Sequence, residues 1–195
     1  MLRFVPRFLK EIVLYLSNPS LIQTVGIFRN SGSAEEVYKL ISLSKNGENP
    51  PFSSFDVHVV AGVLKHFFGS LPVPLFPFEY FDVLIHIGNC HIKESIDLDT
   101  TLRLLMCALY DFPPPHTFTF LYLFRFLDLV RMEEINRMNA DNLGIVFGPV
   151  LLRPRTETIH TALSFATVSK VCVCACACVH VLICVSFQFD VFTVV

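Results

Sequence analysis

The chain has 195 residues, 53% of them hydrophobic and 16% charged, with 20 phenylalanines and a net charge of −2. That length suits one domain around a single substantial core, and the charge excludes the basic footprint that nucleic-acid binding needs. Arg3, Arg7 and Lys10 surround Pro6 at the N-terminus without the long apolar stretch of a signal peptide, so the expected setting is intracellular, in the cytoplasm.

Pro6 opens a predicted helix whose apolar positions Leu9, Ile12, Val13 and Leu16 recur at helical spacing, and Ser17-Asn18-Pro19 closes it. Leu21, Ile22 and Val25 lead into Gly26-Ile27-Phe28-Arg29-Asn30-Ser31-Gly32-Ser33, a glycine-bracketed loop with one cation and two apolar anchors. It runs into Ser33-Ala34-Glu35-Glu36, a capping box that starts the next helix. A loop of this kind holds Arg29 at the surface with its guanidinium free to reach outward. Taken alone, the same arginine fits pairing with a nearby carboxylate or simple solvation.

The second helix is predicted from Ala34 to about Ser44, with Val37, Leu40 and Ile41 on one face, and Asn46-Gly47-Glu48-Asn49-Pro50-Pro51 is a loop. The third has Ser53 or Ser54 as its cap, Asp56 at the positive end of its dipole, and an apolar stripe of Val57, Val60, Ala61, Leu64, Phe67 and Phe68. Lys65 sits beside that stripe. A fourth helix spans about Phe78 to Ile87, a fifth Leu98 to Tyr110, and a sixth Thr117 to Met132. The sixth is apolar on nearly every side, as the central helix of a bundle is. Asn139 caps a seventh helix with Asn142 in its first turn, and Gly148-Pro149 ends it. No alternating strand pattern occurs before residue 165. The fold class is all-α, an irregular bundle of about seven or eight helices.

Chemistry of the chain's own is not evident. There is no Gly-x-x-x-x-Gly-Lys-Ser/Thr loop for a nucleotide and no Gly-x-Ser-x-Gly elbow for a serine hydrolase. His86, Cys90 and His91 are close in sequence but project in different directions on a helix or turn, so no metal or other cofactor is expected.

Read in order, four blocks resemble the Rho GTPase-activating (RhoGAP) domain. They are Gly26-Ile27-Phe28-Arg29-x-Ser31-Gly32-Ser33, Val57-His58-x-Val60-Ala61-x-x-Leu64-Lys65-x-Phe67, Leu71-Pro72-x-Pro74-Leu75, and Asn136-x-Met138-x-x-x-Asn142-Leu143-x-x-Val146-Phe147-Gly148-Pro149-x-Leu151-Leu152, together spanning roughly residues 5–160. The resemblance implies an all-α domain that binds Rho-family small GTPases in the GTP state and speeds their hydrolysis, the partner holding GTP and magnesium. It implies that Arg29 is the arginine supplied in trans, and that Lys65 and Asn142 line the groove for the partner, at its switch region or against the arginine loop. Membrane association is expected only through the GTPase.

Where many family members have Arg-Glu-Leu-Pro, this chain has Gly69-Ser70-Leu71-Pro72, which removes a cation from the expected partner-binding surface. Gly69 then reads as a helix terminator. The alternative reading is a GTPase-binding module with little or no activating activity.

The fold implied by the resemblance needs a last helix, which residues 157–170 begin with Ile159, Leu163 and Phe165 or Ala166 available for burial. The pattern then changes to alternating Val and Cys from Val171, with Cys172, Cys174, Cys176, Cys178 and Cys184. That alternation is what a GT dinucleotide repeat encodes. The domain is therefore expected to span 1–170, and 171–195 to be an apolar tail that packs poorly. One-residue cysteine spacing suits few metals, and the stretch is barely long enough to cross a membrane.

Overall fold

The computed structural model describes residues 2–45, 51–158, 161 and 164–185. Its described residues form helices and connecting turns with no strand, the all-α bundle that the periodicities predict. Helix α1 (Arg7–Leu16) buries Leu9, Ile12, Val13 and Leu16. Asn18 then accepts the Ser20 N–H and starts a one-turn helix, α2 (Pro19–Ile22), which the periodicity does not reveal. Pro19 breaks α1 and begins α2, because its missing N–H costs nothing in a first turn.

Helix α3 (Ala34–Lys45) begins where the capping box predicts, with the Ser33 hydroxyl accepting the Glu36 N–H at 3.4 Å. Helix α4 (Val57–Gly69) is capped by Asp56, whose Oδ1 accepts the His58 N–H at 2.8 Å. Ser53 and Ser54 are not its cap but lie in a preceding 3-10 turn, Phe52–Ser54. The carboxylate adjoining the helix takes the orphan amide ahead of the more distant hydroxyls.

Helix α5 (Phe81–Ile92) starts after a 3-10 turn at Phe78–Tyr80 and continues past the predicted end at Ile87. Helix α6 (Leu98–Tyr110) matches its predicted span. Helix α7 (Pro114–Met132) starts three residues earlier than Thr117, since prolines are tolerated in a first turn, and it is the central element. Its Phe120 and Phe124 join Phe76 and Phe112 in one aromatic cluster, while Phe126 joins Phe28 and Phe147 in another.

Helix α8 (Ala140–Leu151) is capped by Asn139, as predicted, yet runs through Gly148-Pro149 to Leu151. Pro149 and Ile145 both lie on the exposed face of α8. Pro149 removes the usual donor to the Ile145 carbonyl, on a face of the helix open to water. Packing of Phe147 and Leu151 into the core outweighs that local cost.

The largest departure from expectation is helix α9 (Phe165–Val185), which passes through Lys170 without interruption. Val171, Cys172, Cys174, Ala175 and Cys176 are buried in the same core as the rest of the bundle, so residues 171–176 do not pack poorly. Three glycines make the seat. A Cβ on Gly88 would lie 2.7 Å from Val171 Cγ2, one on Gly144 2.6 Å from the Ser169 carbonyl oxygen, and one on Gly148 3.1 Å from Val168 Cγ1. In a helix, alternating Val and Cys puts small apolar groups on every face, which is what such a seat accepts.

Of Phe165 and Ala166, either of which the sequence makes available for burial, neither is buried, and Thr167 and Val168 face inward in their place. Ile159, Leu163, the loop at 46–50 and the end of the chain from 186 lie outside the described residues. Among the described residues no helix is long and apolar enough to cross a membrane.

Candidate functional site

The loop at 26–33 joins α2 to α3, and its geometry follows from its two glycines. Gly26 has φ +71°, in the left-handed region that side chains disfavour. This lets its carbonyl accept from both Arg29 N–H (2.9 Å) and Asn30 N–H (2.8 Å). Gly32 is required for a different reason: a Cβ there would lie 2.5 Å from the Val59 backbone nitrogen in the first turn of α4. The loop is pressed onto α4 at one end and turned sharply at the other.

Between them, Ile27 and Phe28 are fully buried, as the sequence predicts. Phe28 also adopts φ +70°, a conformation costing a non-glycine residue about 1–3 kcal/mol. Its ring meets Phe126 and Phe147 edge-on, at centroid distances of 5.9 and 5.1 Å. Burying a phenylalanine contributes about 1.5–3 kcal/mol, and each aromatic pair about 0.5–1.5 more, so packing outweighs the strain. The consequence is directional. With Phe28 fixed inward, the next residue, Arg29, is turned out and exposed.

Lys65, on α4, extends to the same loop. Its Nζ donates to the Phe28 carbonyl oxygen at 2.7 Å, and half-burial pushes its pKa below the ordinary lysine value. Of the two contacts the resemblance allows for Lys65, the structure contains the one to the arginine loop.

Asn142 lies on the opposite flank. Its backbone N–H donates to Asn139 Oδ1 (2.9 Å), and its side-chain Nδ2 donates to the Arg137 carbonyl (3.0 Å). Arg137 is exposed with φ +59°, and the preceding residue, Asn136, touches the arginine loop directly, its carbonyl accepting the Gly26 N–H at 2.8 Å. Arg29, Lys65 and Asn142 thus belong to one assembly: a loop held by α4 on one side and by the 136–142 segment on the other. Asn136 opens the fourth of the resembling blocks, whereas Arg137 gave no signal in the sequence, because an arginine between helices has no periodicity to mark it.

Gly69 is the last residue of α4, but it does not terminate the helix by a left-handed turn; the C-cap is Ser70, in right-handed conformation. The freed carbonyls are met by Arg153, whose guanidinium donates to Gly69 O at 3.1 Å and to Leu71 O. A Cβ at Gly69 would make only an ordinary contact, 3.7 Å from Val150 Cγ1. His86 and Cys90 approach to 3.6 Å, while His91 turns to Thr101. Among the described residues there is no group of three or more His, Cys, Asp or Glu able to hold a metal ion.

The bundle thus grips one short loop from two sides and leaves the one arginine of that loop, Arg29, exposed. The chain belongs to the RhoGAP domain family, whose profile matches residues 6–156. It is 33% identical over 159 residues to Rho GTPase-activating protein gacHH of Dictyostelium discoideum, a match covering 77% of this chain and 9% of that protein. It is 37% identical over 163 residues to mouse Rho GTPase-activating protein 15 (81% of this chain, 32% of the relative). The crystal structure of human Rho GTPase activating protein 15 superposes with a TM-score of 0.81 at 30% identity, covering 89% of this chain and 82% of that one. The BH domain from Graf, at 22% identity and a TM-score of 0.73, shares the fold. The chain spans 9%, 22% and 33% of the length of gacHH, gacY and chicken Rho GTPase-activating protein 15.

Proposed function

We propose that this chain is a GTPase-activating domain that accelerates GTP hydrolysis by a Rho-family small GTPase in the cytoplasm, inserting Arg29 in trans into the partner's site. The observation that carries the reading is the pairing of an exposed Arg29 with a fully buried, strained Phe28 beside it, so that the loop's freedom is spent before a partner arrives. An arginine held in place loses little on docking, and its planar guanidinium can bridge two oxygens of a phosphoryl group as negative charge shifts within it. A cation delivered this way contributes about 10³–10⁵ in rate, or roughly 4–7 kcal/mol of barrier. The partner, in its GTP state, holds the nucleotide and the magnesium. Lys65 holds the Phe28 carbonyl and Asn142 the 136–142 segment, so their part is to present the arginine at the partner's switch region.

Single-turnover hydrolysis with Rho-, Rac- and Cdc42-like partners tests the reading. Arg29→Ala is expected to remove most of the acceleration and leave binding to the GTP-state partner largely intact, because the finger acts on charge at the transition state. Equal loss of affinity and acceleration would make Arg29 a docking residue. The second reading, a binding module with weak or no activation, draws on Gly69 in place of a cation. It predicts that the wild-type chain retains the GTP-loaded partner in a pull-down without speeding hydrolysis.

A further inference from the structure

We infer that Asn136 is a positioning residue for Arg29, acting through the Gly26 turn; the inference rests on the function proposed above. Asn136 is fully buried, one of few polar side chains that are among the described residues. Its Nδ2 donates to the Ile22 carbonyl (2.9 Å), the C-terminal end of α2, and to the Val130 carbonyl (2.8 Å), in the last turn of α7. Its Oδ1 accepts the Met138 N–H at 2.7 Å, which turns its own backbone. The main chain so oriented offers the Asn136 carbonyl to Gly26 N–H at 2.8 Å.

The two segments joined here are more than a hundred residues apart, and the junction meets the loop at the residue where it turns. Gly26 in turn accepts the amides of Arg29 and Asn30, so the frame passes from α7 through Asn136 and Gly26 to the arginine's own N–H. The amide side chain suits this geometry because it offers two donors and an acceptor at once. A hydroxyl, an acid or an aliphatic group lacks part of that set. The link lies behind the loop, in the core, and Asn136 has no exposed surface with which to touch a GTPase.

The test compares Asn136→Ala with wild type and Arg29→Ala, each checked for fold by circular dichroism, using the Rho-family GTPase that the wild type accelerates most. The expected result is a fall in single-turnover rate of about 10- to 100-fold, the range for a misplaced catalytic group. Affinity for the GTP-analogue-loaded partner should stay within about twofold of wild type, since no docking contact is removed. The residual rate of Arg29→Ala should not fall further when Asn136→Ala is added, because Asn136 acts only through that arginine. An unchanged rate, a parallel loss of rate and affinity, or the same fold-loss in the Arg29→Ala background would overturn the inference.

If Asn136→Ala does not fold, Asn136→Ser serves as the second variant, since it keeps an acceptor near the Met138 N–H. Amide exchange of wild-type Gly26 decides the geometry independently: strong protection is expected, and fast exchange would overturn the inference. Should Arg29→Ala keep full acceleration, the proposed function fails, while Gly26 protection still reports on the Asn136 link.

Discussion

The arginine loop and the seat of α9 are both packed against the bundle, yet they are held by different physics. At the loop, named donors meet named acceptors: Lys65 on the Phe28 carbonyl, Gly26 N–H on the Asn136 carbonyl, Asn142 on the Arg137 carbonyl. Each such bond fixes a direction, and together they hold two non-glycine residues, Phe28 and Arg137, at positive φ. At the α9 seat, the fit is one of shape. Gly88, Gly144 and Gly148 let the helix approach, and Val168, Val171, Cys172, Cys174 and Cys176 fill the space. A hydrogen bond from Thr167 Oγ1 to Asn89 Oδ1, at 2.7 Å, links α9 to α5. A shape-held helix resists displacement but sets no angle sharply. A bond-held loop can aim one side chain. Damage to the first should therefore appear as lost stability, and damage to the second as lost rate.

The largest effect is expected where the two kinds of hold coincide. Phe28→Ala empties a fully buried aromatic site and should cost about 3–5 kcal/mol. Denaturant unfolding measures that loss, and acceleration should fall even in molecules that remain folded, because the anchor that turns Arg29 outward is gone. A variant that is destabilised but accelerates normally would show that Phe28 does not set the direction of Arg29.

Gly144→Val attacks the shape-held side alone. Its added atoms begin 2.6 Å from the Ser169 carbonyl and 2.7 Å from Val173 Cγ2, so α9 must shift, at about 1–3 kcal/mol. Thermal unfolding should register this, with acceleration per folded molecule unchanged.

Lys65→Met sharpens the loop side. It removes a charged donor from a carbonyl, worth roughly 1.5–3 kcal/mol gross and offset in part by the burial cost of the ammonium, so stability should move by about 1 kcal/mol or less. The pH dependence has a definite sign. Burial lowers the folded-state pKa of Lys65 below its unfolded value of 10.5. Between those two pKa values the unfolded chain holds more of this proton, so the contribution of Lys65 to stability rises with pH across that window. The difference in unfolding free energy between wild type and Lys65→Met should therefore shift in favour of wild type as pH climbs toward 10.5, and a shift the other way would contradict the burial argument.

The smallest effect is expected at Gly69. A side chain has room there, since the nearest contact to a Cβ is 3.7 Å, and Gly69→Arg should tighten GTPase binding by about 0.2–1 kcal/mol at low salt, less as ions screen the charge. Titrations at low and high ionic strength that give the same dissociation constant as wild type would show that this end of α4 does not face the partner.

How much of this was legible in the sequence depends on whether a feature is local. The loop's glycines, its buried Ile27 and Phe28 and its outward Arg29 are written in eight consecutive residues. The caps at Ser33 and Asn139 follow from side chains next to their helices. Asn142 was legible as a first-turn residue, but not its acceptor, because the Arg137 carbonyl comes into reach only through the left-handed turn there. Gly88, Gly144 and Gly148 are scattered over sixty residues and acquire a common meaning only when α9 lies across them. The burial of residues 171–176 is not legible for a related reason: their two-residue alternation has no helical period, and a helix needs none when it offers small apolar groups to its seat.

The buried thiols of α9 make that helix's own motions measurable. Cys172 is raised well above the ordinary thiol pKa by its hydrogen bond with Cys176 and by burial, and burial raises Cys174 as well. Cys107, by contrast, is exposed on α6. An alkylating reagent in excess reaches the exposed Cys107 directly, but the buried Cys172, Cys174 and Cys176 only during the intervals when α9 lifts. Where closing is faster than alkylation, their labelling reports how much of the time one helix stands open, and reading it with and without the proposed GTPase partner would reveal whether docking changes that population.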